Sequence, residues 1–151
     1  LSELSATTKP TDTDSPVVSA FGYELIRDIL LPELLGNDAP EILYWAGKRL
    51  ARQFPLENFD EVCVFFQKAS WGTLIITNES NNELEVELTG GLISQRLQSK
   101  KDISFQLEAG FIAQQIEQQK KVIAEAFEHP RKKGSKVLIT VKWDKKDVVK
   151  P

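Results

Sequence analysis

Apolar residues recur along the chain first at helical and later at strand spacing, and that change divides the sequence into elements. Residues 1–16 are rich in Ser, Thr, Asp and Pro without apolar periodicity. Segment 1–18 is therefore expected to be a mobile tail, or an arm that orders on binding. From Ser19 onward Phe21, Leu25, Ile26, Ile29 and Leu30 recur at helical spacing, and Pro32 is expected to end or kink that helix. A second helix is predicted to start near Asn37 or Asp38, with Pro40 in its first turn, and to reach Phe54. Its buried stripe is expected at Leu43, Ala46 or Gly47, Leu50 and Phe54, with Lys48, Arg49 and Arg52 on the other side. Gly47 costs this helix about 1 kcal/mol relative to alanine, which the close approach of another element would offset.

Pro55 closes that helix, and Asn58 or Asp60 can open a third with Phe59, Val62, Cys63 and Phe66 on one face. The Trp71-Gly72 pair follows, and then the period switches to two. A strand is predicted over Thr73 to Asn78, a turn over Asn78 to Asn82, and a second strand in which Leu84, Val86 and Leu88 oppose Glu83, Glu85 and Glu87. That acidic row is the solvated side of a hairpin, not a catalytic carboxylate pair. Leu92 to Gln98 fits a short helix or a further strand. Phe105, Ala109, Ile112, Ala113 and Ile116 mark a fourth helix whose stripe Leu107 and Phe111 widen, with Gly110 in the middle. Val122 to Phe127 fits either a continuation of this helix or a strand. Val137, Ile139, Val141 and Trp143 alternate with Leu138, Thr140 and Lys142 and form the clearest strand. One α+β domain over 19–147 is expected, with 148–151 as a short C-terminal tail.

Composition narrows the function. A net charge of −3 argues against nucleic acid, because phosphate binding needs clustered positive charge. The one dense basic cluster, Arg131-Lys132-Lys133 with Lys136, sits at a Gly-containing turn and is expected to be a solvated loop. No apolar run approaches the ~20 residues of a membrane span. One cysteine precludes an intrachain disulfide and fits a reducing compartment, so a cytoplasmic location is the expectation. Cys63 fits a buried small hydrophobe; a reactive or acylated thiol is the alternative.

Five segments carry a resemblance: Tyr23-Glu24-Leu25-Ile26-Arg27, Leu43-Tyr44-Trp45-Ala46-Gly47-Lys48, Ala69-Ser70-Trp71-Gly72-Thr73, Phe105 through Ala113, and Val141-Lys142-Trp143-Asp144. In this order they resemble the YslB-like bacterial family of unknown function, from about Ala20 to Asp147. More distantly the plan is similar to the 4-vinyl reductase-type ligand-binding domain. That domain resembles the core subunits of the eukaryotic transport protein particle and haem-based nitric-oxide-sensing modules. The resemblance implies an α+β fold with helices packed on one face of a twisted antiparallel sheet. It also implies that Val122–Phe127 is a strand paired with Val137–Trp143. The thiols of the reductase-type domain and the acylated cysteine of some transport-particle subunits have no counterpart at the matching positions here.

No catalytic constellation stands out. His129 is the only histidine, which precludes a multi-histidine metal site, and beside Pro130 it is expected to be exposed. Neither a G-x-S-x-G elbow, a P-loop nor a G-x-G-x-x-G occurs. No metal, no cofactor and no enzymatic activity are therefore expected. Trp45, Trp71, Phe105 and Phe111 are the candidates for lining an apolar cavity or a dimer seam, with Gly47 and Gly110 where backbones approach. Glu108 reads most simply as a helix edge in water, with a polar contact inside a pocket or interface as the alternative. The expected function is a non-enzymatic binding module holding a small apolar molecule or acyl chain between helices and sheet. The alternative is a ligand-free scaffold that forms a homodimer through its helical layer, because the apolar residues around Leu107–Phe111 exceed what one sheet face needs.

Overall fold

The computed structural model describes residues 16–99, 102–129 and 135–148. The expected tails, apart from residues 16–18 and 148, lie outside them, as does the cluster Arg131-Lys132-Lys133. Ser19 opens the ordered chain as an N-cap, its hydroxyl accepting from the Gly22 N–H at 3.1 Å. Helix α1 (Ala20–Glu24) passes into a π-helical segment, Leu25–Leu30, and then into α2 (Leu31–Leu35). These three stretches form one helical arm. Pro32 does not end it, because it falls in the first turn of α2, where the winding has just changed from π to α and a missing N–H is tolerated. Gly36, at φ 75°, stops the arm instead.

A 3-10 turn, Gly36–Asp38, leads into α3 (Ala39–Gln53). Asp38 precedes α3 without a side-chain capping bond. Its buried positions are Ala39, Leu43, Gly47, Lys48 and Ala51. Leu43 and Gly47 match the expected stripe, whereas Phe54 is exposed and Lys48 turns inward, near Glu117 at 3.9 Å and over the rings of Tyr44 and Trp45. Helix α4 (Phe59–Lys68) is capped by Asn58, whose side chain accepts from the Glu61 N–H, and it buries Val62 and Phe66.

Strands β1 (Thr73–Glu79) and β2 (Glu83–Thr89) form the expected hairpin. Helix α5 (Gly91–Leu97) settles the open reading of that segment. Helix α6 (Gln106–Lys120) ends at Lys121 in the left-handed region, so β3 (Val122–Glu128) begins there. It pairs with β4 (Val137–Val148), as the family resemblance implies. The sheet is antiparallel throughout, in the order β1-β2-β4-β3.

Helix α6 sits between α3 and the β3–β4 hairpin, and every residue from Glu108 to Ile116 is buried. Its all-round apolar character is therefore consumed inside the chain, which removes the reason for expecting a dimer seam at Leu107–Phe111. Leu84, Val86, Leu88, Val137, Ile139, Val141, Ala124 and Ala126 supply the inner face of the sheet. Among the described residues, the helices cover that face alone.

Edge strand β3 has protection of its own. Tyr44 Oη accepts from the Ala126 N–H at 3.0 Å, and a Glu117 carboxylate oxygen accepts from the Ala124 N–H at 3.1 Å. Two outward amides are thereby closed to further strand pairing.

Candidate functional site

The helical arm carries its side chains in an unusual arrangement. Arg27 is its one fully buried residue among those described. Phe21, Leu25, Ile26, Leu30 and Leu34 are exposed, Phe21 and Leu34 by about two-thirds of their surface (67% and 70%). The spacing from Phe21 to Leu25 and from Leu30 to Leu34 is four residues, while the π segment separates Leu25 from Leu30 by five. A π turn holds more residues than an α turn, so the apolar row stays on one side. The same winding sends Arg27 and Asp28 inward. The helical period read from the sequence is present, but charge faces the protein and hydrocarbon faces out.

Inside, four charged groups meet. Arg27 grips Glu108 with two hydrogen bonds, Nη1 to Oε2 at 2.9 Å and Nη2 to Oε1 at 2.7 Å. Arg96 of α5 grips Asp28 in the same bidentate manner, Nε to Oδ2 at 2.8 Å and Nη2 to Oδ1 at 2.7 Å. Arg96 Nη1 also lies 3.7 Å from Glu108 Oε2, which links the two pairs. Arg27 donates further to Tyr23 Oη and to the Ser104 carbonyl, and Arg96 stacks on the Phe105 ring at 4.4 Å. Two cations balance two anions, and no buried side-chain nitrogen or oxygen among the described residues lacks a partner.

Burial alone would lower the pKa of the Arg27 guanidinium, but the Glu108 carboxylate outweighs it and holds it above the ordinary value. Burial raises the Tyr23 phenol, with the Arg27 charge opposing. Glu108 is accordingly not a helix edge in water. Its carboxylate is fully enclosed, and its bidentate partner comes from the arm.

The other predicted site residues separate into four places. Trp71 and Phe111 belong to a packed aromatic cluster with Phe65 and Phe66. Phe111 stacks on Phe65 at 4.6 Å, and Trp71 meets Phe111 and Phe66 edge-on at 5.3 and 5.0 Å. Phe105 lies against the Arg96 guanidinium. Trp45 is 55% exposed on the outer side of α3.

Gly47 and Gly110 do meet, at the crossing of α3 with α6. A Cβ on either would strike the other helix's backbone, at Leu107 and Tyr44 respectively. Periodicity and composition do not mark Arg96, Asp28 or Tyr23 as site residues. For Asp28, as for Arg27, a signal exists: charged residues on the side of the arm opposite its apolar row.

Cys63 is partly buried, its thiol 3.7 Å from the Leu74 carbonyl, and burial together with Asp60 raises its pKa. A thiol so held is a poor nucleophile at neutral pH. His129 is exposed as expected and hydrogen-bonds Thr140 across the β3–β4 hairpin. Among the described residues no group of three His, Cys, Asp or Glu side chains could hold a metal, and no helix is long and apolar enough to cross a membrane.

A one-sided antiparallel sheet, a central helix buried on all sides and an arm clasped by charge define this α+β protein. The chain belongs to the family described as protein of unknown function DUF2507, whose model matches residues 20–142. It is 52% identical over 132 residues to the uncharacterized protein YslB of Bacillus subtilis (strain 168), across 87% of this chain and 89% of that protein. In fold it is similar to a vinyl-4-reductase family protein from Methanocaldococcus jannaschii, with a TM-score of 0.65 at 17% identity, covering 87% of this chain and 85% of that one. It is also similar to an Fe(II) unliganded H-NOX protein mutant from K. algicida, with a TM-score of 0.55 at 9% identity, covering 95% and 85%.

Proposed function

We propose that the protein is a non-enzymatic interaction module that pairs with a second copy of itself through the outer side of its helical arm. One observation carries this reading: the arm buries an arginine and exposes Phe21, Leu25, Ile26, Leu30 and Leu34. Together with Val17 and Val18 these side chains offer on the order of 100 Å² apiece, close to the roughly 800 Å² per partner of a standard interface. A straight apolar row is self-complementary about a two-fold axis, as an isologous contact requires. Acidic Glu33 lies on the exposed side of the arm and Arg27 is spent inside, so an anionic membrane surface is a poor match. The non-enzymatic reading draws support from the paired charges, the raised Cys63 thiol and the lone histidine.

Light scattering on the chromatographed protein at tens of micromolar tests this. A dimer that becomes a monomer on combining Phe21→Asp with Leu34→Asp, while circular dichroism is retained, is the expected result. A monomeric wild-type protein overturns it.

A second reading rests on a cleft of about 280 Å³ between the arm and α3, with Pro32, Ala39, Leu43 and Ile103 as apolar wall and Arg27, Asp28 and Ser104 beside them. In this reading a small apolar molecule or acyl chain lies there, near the lower end of ligand-site volumes. Among the sequence-predicted residues, Glu108 reaches this wall through Arg27. Native mass spectrometry of protein purified from its own cells should then show a copurified mass that Leu43→Trp abolishes. A single bare mass in the wild-type protein removes the reading.

A further inference from the structure

The face of the sheet that the helices leave open has a composition of its own. Glu83, Glu85 and Glu87 point outward along β2, in the middle of the sheet. The cross-strand register places Ile75 and Leu138 on either side of Glu87, Thr140 and then Phe127 beside Glu85, and Lys142 and then Glu125 beside Glu83. Ile75, Leu138, Phe127 and Ile123 are each exposed by 40% or more. An acidic column therefore runs beside exposed apolar side chains, Ile75 at its Glu87 end on the β1 side and Leu138, Phe127 and Ile123 on the other. Lys136 reaches Glu87 at 3.2 Å and Lys142 reaches Glu83 at 4.0 Å, leaving Glu85 without an ion-pair partner among the described residues. Beside Glu85 lies an open hollow of about 340 Å³ lined by Glu83, Glu85, Phe127, His129, Thr140 and Lys142.

We infer that this face docks a basic amphipathic helix of a partner protein, laid along β2. The spacing fits. Alternate residues of a strand lie about 6.8 Å apart, and residues four apart on a helix rise about 6 Å. Lysines at i, i+4 and i+8 would thus stand over Glu87, Glu85 and Glu83, or in the reverse order. Apolar residues flanking that stripe would rest on Ile75 to one side and on Leu138 and Phe127 to the other.

The hollow takes the middle side chain, its aliphatic stem on the Phe127 ring and its ammonium at the Glu85 carboxylate. A second copy of this face would set like charges against like, and nucleic acid or an anionic lipid surface would be repelled, so charge complementarity selects a cationic helix. This surface lies across the sheet from α6 and is independent of the arm.

The test uses fluorescence anisotropy with a labelled 14-residue helical peptide carrying lysine at i, i+4 and i+8 and leucine on both flanks. The same peptide with glutamate for lysine, and a scrambled peptide, serve as controls. The expected result is saturable binding of the lysine peptide alone, weakened roughly tenfold by Glu85→Lys and tightened by Lys142→Gln, which removes a competing ammonium.

Both variants sit on the solvated face, and their urea midpoints confirm folding. Combining Phe21→Asp with Leu34→Asp should leave the affinity unchanged. Equal binding of the scrambled peptide, indifference to Glu85→Lys, or no binding at 200 μM peptide overturns the inference. Loss of binding in the arm variant overturns it as well, since the helix would then have docked elsewhere.

Discussion

Gly47 and Gly110 meet where α3 crosses α6, each facing the backbone of the other's helix, Gly47 at Leu107 and Gly110 at Tyr44. Two helix-weakening residues thus lie at one point of contact, and the close approach they permit is what brings α6 between α3 and the sheet.

Alanine at either position should destabilise the protein by about 1–3 kcal/mol, because rigid backbone must move aside. Gly22→Ala on α1 is the control of opposite sign. Its Cβ would meet nothing nearer than Ser19 Oγ at 3.5 Å, so the gain in helix propensity should stabilise by up to about 1 kcal/mol. Urea titrations of the three variants decide, and a stabilised Gly110→Ala would contradict the close crossing.

Glu108→Gln should cost about 3–5 kcal/mol, since it leaves the Arg27 guanidinium buried without its counter-charge. Replacing both partners, Arg27→Met with Glu108→Leu, should cost less than either single change. A double-mutant cycle by chemical denaturation measures this coupling, and additive losses would mean that the clasp contributes nothing as a pair.

Two tryptophans distinguish core from surface. Trp71→Ala removes an indole packed against Phe65, Phe66 and Phe111 and should cost about 3–5 kcal/mol. Trp45→Ala should change monomer stability by no more than about 0.5 kcal/mol. If thermal denaturation ranked them in the opposite order, the placement of the aromatic cluster would be wrong.

Stability should fall at alkaline pH. Burial raises the Cys63 thiol above its ordinary 9.0 and the Tyr23 and Tyr44 phenols above 10.0. A group whose folded pKa lies above its unfolded value stabilises fully below the unfolded one and loses that contribution as pH rises through the folded one. Arg27, whose guanidinium is also raised above its ordinary value, stays charged throughout this range and adds no slope. The urea midpoint is therefore expected to decline above about pH 9, with Cys63→Ala removing the earliest part of the decline. A decline that begins at the same pH in Cys63→Ala would dissociate it from the thiol.

Local period serves well where one face of an element meets water. Leu84, Val86 and Leu88 against Glu83, Glu85 and Glu87 read as a half-buried strand and are one. Period fails where tertiary placement overrides it. Leu107 to Phe111 reads as surplus apolar surface because no local pattern states that α6 will have neighbours on every side. The arm reads as an ordinary amphipathic helix, since nothing nearby tells Arg27 and Asp28 that their partners stand 81 and 68 residues away. The glycines were legible for a different reason. A residue that weakens a helix must be offset by something, and backbone contact is the simplest offset.

The charge clasp also imposes an order of events during synthesis. The arm leaves the ribosome before its anchors on α5 and α6, which are made up to 81 residues later. At ordinary elongation rates of about 5–20 residues per second, that interval is roughly 4–16 s. Throughout it the nascent chain displays Phe21, Leu25, Ile26, Leu30 and Leu34 on a segment with nowhere to dock. On a polysome, where neighbouring chains present the same stretch, the proposed pairing of two arms would have that interval in which to begin.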